Sequence, residues 1–109
     1  NLVYHEFAHK LDMLDGVVDG TPILPNRRAL QRWIAVMTEA YEKLQRQAHR
    51  GKRSLIDHYG ATDVGEFFAC VTETFFEKGR RMKQKEPEVY AVLQAFYRQD
   101  PAAWRTHRT

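Results

Sequence analysis

The feature that most constrains this chain is a pair of histidines four residues apart, His5 and His9, with Glu6 directly after the first. Residues four apart lie one above the other on an α-helix, so both imidazoles can reach one metal ion. Glu6 lies about 100° round the helix and faces the position that the protein leaves open on the ion. The spacing therefore predicts a zinc-binding helix, against the simpler interpretation of two ordinary polar histidines.

Composition places the chain among ordinary globular proteins. It has 109 residues, 43% hydrophobic and 28% charged, which suits a single domain over residues 1–109. Its one cysteine, Cys70, excludes an internal disulfide framework. No apolar stretch approaches the roughly 20 residues that span a bilayer, and no signal-peptide pattern opens the chain. We therefore expect a cytoplasmic protein that does not contact the membrane.

Hydrophobic spacing predicts α-helices and almost no strand. Four segments carry apolar residues at helical spacing, and we expect helices over residues 2 to about 14, from a cap at Asn26 to about 49, from a cap at Thr62 or Asp63 to about 78, and from Pro87 to about 99. Gly51 and Gly79 are expected to end the second and third of these helices. The predicted fold class is mainly α, with Trp104 folding back onto the helices.

The third predicted helix has one apolar and one polar side. Its apolar stripe, which we expect in the core, consists of Val64, Phe67, Phe68, Val71 and Phe75. Its polar side consists of Glu66, Cys70, Glu73 and Glu77, spaced four, three and four residues apart. An acidic metal ligand would be expected on this side.

Two histidines leave a zinc site incomplete, because a catalytic zinc normally has three protein ligands and a water. One extended form of the motif has Gly three residues and His six residues after the second histidine, but Asp12 and Asp15 occupy those positions here. Without a glycine at position 12 the helix has no evident reason to turn, which disfavours Asp15 as a ligand. A second helix is the better source of an acidic ligand.

Glu66 is the best candidate for that ligand, because it lies on the polar side of a helix whose start is set by a cap. An alternative role follows from its position three residues after Asp63, where its carboxylate could fold back on the helix start as in a capping box. Glu73, two turns further along, could be the ligand instead or support the site. His49 and His58 also remain open as ligands.

Two ordered blocks of sequence resemble a known family. Residues 5–16, HEFAHKLDMLDG, together with residues 59–76, YGATDVGEFFACVTETFF, are similar to the Mlc titration factor A family of zinc peptidases. The second block is also similar to the metal-site region of anthrax lethal factor, where Tyr, Gly and then Glu-Phe-Phe-Ala have the same spacing. The resemblance covers most of the chain from His5 onward.

The resemblance implies a site and a chemistry. It makes His5, His9 and Glu66 the ligands of a Zn²⁺ ion, Glu6 the general base that activates a water, and Tyr59 a donor to the transition state. A peptide substrate and an aminopeptidase-like activity are implied with them. Taken on the sequence alone, a packing tyrosine is the alternative interpretation of Tyr59.

The sequence offers more than one candidate for the group that hydrogen-bonds to the metal-binding histidines. Metal-bound histidine usually donates its other ring N–H to a carboxylate or carbonyl, and Asp12 lies on the right helix face for that. Glu73 is a second option, and a surface acid near a helix end is the alternative reading of Asp12. Lethal factor has a further Glu one turn after the ligand, where this chain has Cys70.

The resemblance also implies a zincin-like, gluzincin-type fold in which a β-sheet precedes the motif helix and holds the substrate backbone by strand addition. The chain opens on Asn1 rather than Met, with almost nothing ahead of His5. We therefore expect a catalytic fragment that lacks its N-terminal part and cleaves peptides poorly compared with a longer version.

Two other functions compete with peptidase activity. The family is named for sequestering the glucose-related transcriptional repressor Mlc, so the chain could be a regulatory binding protein, and the two functions can coexist. The net charge of +3 and the basic runs at residues 46–53 and 78–85 raise nucleic-acid binding. These cations lie around predicted helix ends without an aromatic stacking motif, which favours a solvated surface and no direct nucleic-acid binding.

Overall fold

The structure is a computed structural model and describes residues 26–104. The predicted first helix lies outside the described residues, and with it His5, Glu6, His9, Asp12 and Asp15. The described part therefore contains only one of the three predicted metal ligands, Glu66, together with Tyr59.

Residues 26–104 contain helices and no strand, which confirms the mainly α fold class for this part of the chain. The four α-helices are α1 (Arg27–His49), α2 (Val64–Glu77), α3 (Gly79–Lys85) and α4 (Pro87–Tyr97). Two short 3₁₀ turns, His58–Ala61 and Pro101–Ala103, precede α2 and follow α4. None of the described helices is long and apolar enough to cross a membrane.

Helix α1 begins and ends at the residues that the sequence indicated. The Asn26 side chain accepts a hydrogen bond from the Ala29 backbone N–H at 2.8 Å, which satisfies one of the unpaired donors of the first turn. Gly51 follows the helix in the left-handed conformation with φ of 68°, which costs a glycine little. The amphipathic stripe of α1 is buried as expected and includes Trp33, Met37 and Leu44.

Helix α2 ends at Glu77, close to the predicted end near residue 78, but Gly79 has a different role from the one predicted. Gly79 does not end α2 but begins α3, because the backbone already leaves helical geometry at Lys78, with φ of −131° and ψ of 44°. A Cβ on Gly79 would lie 3.0 Å from both the Ala102 backbone nitrogen and the Pro101 Cβ. Glycine is therefore needed here for close packing against the second 3₁₀ turn rather than for ending a helix.

The core is a layer of aromatic and aliphatic side chains between α1, α2 and α4. Trp33 of α1 lies against Phe96 of α4 with ring centroids 4.6 Å apart, and Phe75 of α2 lies 5.0 Å from Tyr90. Tyr90 is 1% exposed and so belongs to the core. Its hydroxyl donates to Asp100 and accepts from the Ala102 N–H, so α4 is tied to the segment that follows it.

Four expectations from the sequence need adjustment. Phe68 is only partly buried, and α4 ends at Tyr97 rather than near 99 because Arg98 adopts the left-handed conformation. Trp104 does fold back, with its ring 6.1 Å from that of Phe76, but it stays 45% exposed. Cys70 was expected on the polar side of α2, and it is buried at 8% exposure.

Candidate metal-binding and catalytic site

Glu66 lies in the first turn of α2, at a position set by the helix cap. The Asp63 side chain accepts a hydrogen bond from the Glu66 backbone N–H at 2.8 Å. The cap orients the first turn and satisfies a donor that would otherwise lack a partner. The carboxylates of Asp63 and Glu66 also complement the positive end of the helix dipole.

Only one of the two hydrogen bonds of a capping box is present at Glu66. Asp63 caps the Glu66 N–H, but the Glu66 carboxylate makes no hydrogen bond to the Asp63 N–H or to any other group within residues 26–104. Glu66 is partly buried. Its carboxylate oxygens are therefore available to a ligand, which is what a metal-binding role requires.

Tyr59 lies in the 3₁₀ turn directly before α2. The Asp57 side chain accepts a hydrogen bond from the Tyr59 backbone N–H at 2.8 Å and so fixes the start of this turn. The Tyr59 side chain is 60% exposed. Its hydroxyl makes no hydrogen bond within the described part of the chain.

Gly60 joins the Tyr59 turn to the helix that carries Glu66. A Cβ built on Gly60 would lie 3.1 Å from the Cys70 Cβ and 3.3 Å from the Leu44 Cδ2. Both distances are shorter than ordinary van der Waals contact, so the backbone of the turn approaches α1 and α2 as closely as a glycine allows. The fold thereby holds the elements carrying Tyr59 and Glu66 side by side.

Tyr41 of α1 contacts both the Tyr59 turn and α2, at the point where they meet; this point is called the junction below. Its hydroxyl lies 3.5 Å from the Ala61 carbonyl oxygen at the end of the turn, and its ring lies 5.3 Å from that of Phe67. Burial and the nearby Asp63 charge raise the pKa of Tyr41, so the hydroxyl stays protonated as a donor. Helix α1 thus packs against both the turn and α2.

Cys70 occupies the position one turn after Glu66 on α2. Burial raises the pKa of its thiol, and the charges of Asp57, Glu73 and Glu66 raise it further. The thiol is therefore a neutral packing group beneath the turn.

The other candidate ligands are placed differently. Glu73 is exposed, and His49 is the exposed last residue of α1. The His58 Nε2 donates to the Lys52 carbonyl oxygen at 2.8 Å, so this ring closes the loop between α1 and the turn.

Residues 26–104 do not form a metal site by themselves. They contain no group of three or more His, Cys, Asp or Glu side chains arranged to hold a metal ion. A site that uses Glu66 therefore needs ligands from elsewhere, and His5 and His9 lie outside the described residues.

Sequence reasoning missed the role of Cys70 and Gly60. A signal for Cys70 existed, because Phe67, Cys70 and Thr74 repeat at three- and four-residue spacing beside the assigned stripe, and unpaired cysteines are among the most buried residues. Thr74 is also buried, with its hydroxyl donating to the Cys70 carbonyl oxygen at 2.9 Å. No local pattern indicates the contact between Gly60 and Cys70.

Comparison with known proteins indicates one family. The model of a family described as glucose-regulated metallo-peptidase M90 matches residues 1–98. An uncharacterized protein from Synechocystis sp. is 45% identical over 101 residues, covering 93% of this chain and 37% of the relative. No solved structure matches the chain.

Several relatives share the printed name Mlc titration factor A. The protein of this name from Edwardsiella ictaluri is 39% identical over 104 residues, covering 93% of this chain and 40% of its own length. That from Pectobacterium atrosepticum is 35% identical over 106 residues, covering 94% and 40% respectively. The chain therefore spans about two fifths of the length of these curated relatives.

Proposed function

We propose that this chain, which belongs to the glucose-regulated metallo-peptidase M90 family, carries the metal centre of a zinc-dependent peptidase that hydrolyses peptide bonds. The observation that carries the proposal is the state of Glu66: a partly buried carboxylate, held in place by its backbone and without a hydrogen-bond partner in the described part of the chain. A carboxylate in this state fits a metal ligand.

The proposed ligands are His5, His9 and Glu66, a set of two imidazoles and one carboxylate that suits zinc. When bound, the ion polarises the substrate carbonyl and lowers the pKa of a water toward neutrality.

The remaining steps belong to side chains of this chain. Glu6 accepts a proton from the attacking water and passes it to the leaving amine. The Tyr59 hydroxyl, exposed and without a partner among the described residues, donates to the oxyanion that develops on the substrate carbonyl. An aminopeptidase-like preference rests on the resemblance noted in the sequence.

Metal analysis of purified variants tests the ligand set. We expect stoichiometric zinc in the wild type and loss of zinc in Glu66→Ala, because two imidazoles alone bind weakly. Glu73→Ala is the matched control, since it removes an exposed carboxylate from the same helix and should retain zinc. Full zinc in Glu66→Ala, or loss in Glu73→Ala alone, would overturn the assignment of Glu66.

Activity separates the base from the ligands. Glu6→Gln should retain zinc and lose cleavage of unblocked dipeptide and amino-acid anilide substrates, since the amide cannot accept the proton. Blocking the substrate amino terminus should abolish cleavage if the enzyme is aminopeptidase-like, whereas efficient cleavage of blocked peptides would indicate an endopeptidase.

A second candidate function is binding of the transcriptional repressor Mlc, because several relatives are named for titrating it. Such binding does not require the zinc chemistry. Purified Mlc should then bind wild type and Glu6→Gln with equal affinity, and absence of binding by both would remove this candidate.

A further inference from the structure

A groove rich in positive charge lies between the end of α1, the loop before the Tyr59 turn, and α3. It has a volume of about 800 Å³ and is referred to here as the basic groove. Five permanent cations and two carboxylates line it; the cations are Lys43, Arg53, Lys78, Arg81 and Lys85, and the carboxylates are Asp57 and Glu86. The surface of the groove is therefore predominantly positive.

Both carboxylates in the basic groove already have partners. The Glu86 carboxylate accepts from the Lys43 Nζ at 2.9 Å, and the Asp57 carboxylate accepts from the Tyr59 backbone N–H at 2.8 Å. Within residues 26–104, none of the other four cations makes an ion pair. The groove thus holds exposed cations that lack a counter-charge.

The cations of α3 and Lys78, the residue before it, divide between two sides. Lys78, Arg81 and Lys85 follow each other at spacings of three and four residues, so they share one face and line the groove. Arg80 turns away and donates to the Ala102 carbonyl oxygen at 3.2 Å, and Lys83 lies 5.7 Å from the centre of the Tyr90 ring. Only the groove side of α3 is left without partners.

The basic groove also has an apolar part and leads to the proposed site. Leu55 lines the groove as a partly buried apolar side chain, next to Ile56 of the core. Asp57 and His58 line the groove and directly precede Tyr59 in the chain. A ligand in the groove would therefore lie next to the turn that carries the proposed oxyanion donor.

We propose that the basic groove binds an acidic segment of a peptide substrate, with its carboxylates on Lys78, Arg81 and Lys85 and its aliphatic carbons against Leu55. This inference rests on the proposed peptidase function and adds a substrate class to it. Isolated cations interleaved with apolar surface match a peptide with several carboxylates. A nucleic acid is a poorer match, because no Phe, Tyr or Trp side chain lines the groove to stack on bases.

Binding measurements on the full 109-residue chain test the proposal. The background is Glu6→Gln, so that the probe is not cleaved. The probe is a short fluorescent peptide with several glutamates among leucines. A control peptide has glutamine in place of each glutamate. We expect the acidic peptide to bind more tightly and to lose affinity as ionic strength rises.

Two triple variants separate the groove from general charge. Lys78→Gln with Arg81→Gln and Lys85→Gln should weaken binding of the acidic peptide by about tenfold, as three modest ion pairs would. Arg27→Gln with Arg28→Gln and Arg32→Gln removes the same charge from exposed positions at the start of α1 and should leave the affinity unchanged. Circular dichroism checks folding, and the single change Arg81→Gln replaces the triple variant if that unfolds.

Three results would overturn the inference: equal affinity for the two peptides, equal effects of the two triple variants, or tighter binding of single-stranded DNA than of the acidic peptide. Because the assay measures binding in a variant that cannot cleave, it does not depend on catalysis. Zinc content measured in the same samples reports on the proposed function separately.

Discussion

The backbone of Gly60 lies against the side chain of Cys70, so closely that a Cβ on the glycine would be 3.1 Å from the cysteine Cβ. Gly60 directly follows Tyr59, and Cys70 is one helical turn past Glu66. This contact therefore sets the separation between the two elements that carry the proposed donor and the proposed ligand.

Replacing Gly60 with valine should destabilise the protein by about 1–3 kcal/mol, because the added carbons overlap Cys70 and Leu44 in a packed junction. Chemical denaturation measures the change. Ala35→Val is the control, since Ala35 is exposed on α1 and added carbons there meet solvent. Equal stability of Gly60→Val and wild type would show that the junction is looser than described.

Replacing Asp63 with alanine should cost about 1 kcal/mol, because the first turn of α2 loses the acceptor of the Glu66 N–H. Asp63→Asn keeps a side-chain oxygen at the cap and should retain most of the stability. Thermal unfolding compares the two variants. If Asn destabilises as much as Ala, the charge of Asp63 matters rather than its capping oxygen.

Tyr59→Phe should lower kcat by about a hundredfold while leaving zinc content unchanged, as expected for loss of one transition-state donor. Stability should stay at the wild-type value because the ring is 60% exposed. Tyr97→Phe provides the contrast: its hydroxyl pairs with the Thr72 hydroxyl at 2.8 Å, so this change should reduce stability and not kcat. A wild-type kcat in Tyr59→Phe would remove Tyr59 from the mechanism.

The protein should lose stability at alkaline pH. Burial raises the pKa of Cys70 and of Tyr90, and the hydrogen bond to Asp100 raises that of Tyr90 further. Both groups are neutral when protonated, so their contribution is complete below the unfolded pKa values, near about 8.5 for cysteine and about 10 for tyrosine. It is lost as pH rises through the higher folded values.

Denaturant midpoints between neutral pH and about pH 10.5 measure this loss, a range that spans the ordinary cysteine and tyrosine pKa values. Tyr90→Phe removes one titrating group, so its midpoint should depend less steeply on pH in the alkaline range, although its stability at neutral pH is lower. A midpoint that stays constant for the wild type would contradict the burial of these groups.

The sequence was sufficient wherever a local rule decides the structure. The Asn26 and Asp63 caps, Pro87 at the start of α4 and the left-handed Gly51 each act within a few residues, so the spacing of neighbours predicts them. The prediction for Gly79 was wrong because its reason is distant: the backbone at Pro101 and Ala102 packs against it.

The sequence also gave an incomplete description of the polar side of α2. Glu66 was correctly expected on the polar side of α2, but Cys70 was placed there too and is buried. Periodicity predicts which side of the helix a side chain lies on. It does not predict which other element packs against that side. The Tyr59 turn covers Cys70, and that contact depends on how two elements meet in space.

By itself the sequence determined helices α1, α2 and α4 and the caps at Asn26 and Asp63, because these depend on spacing along the chain. It did not indicate the short helix α3. The zinc ligands His5, His9 and Glu66 stay a prediction. Tertiary structure alone decided that Gly60 packs on Cys70. It also decided that Arg53, from the basic run at 46–53, and Lys78, Arg81 and Lys85, from the run at 78–85, line one groove. Residues this far apart in sequence meet only through helix packing, and no local pattern encodes that packing.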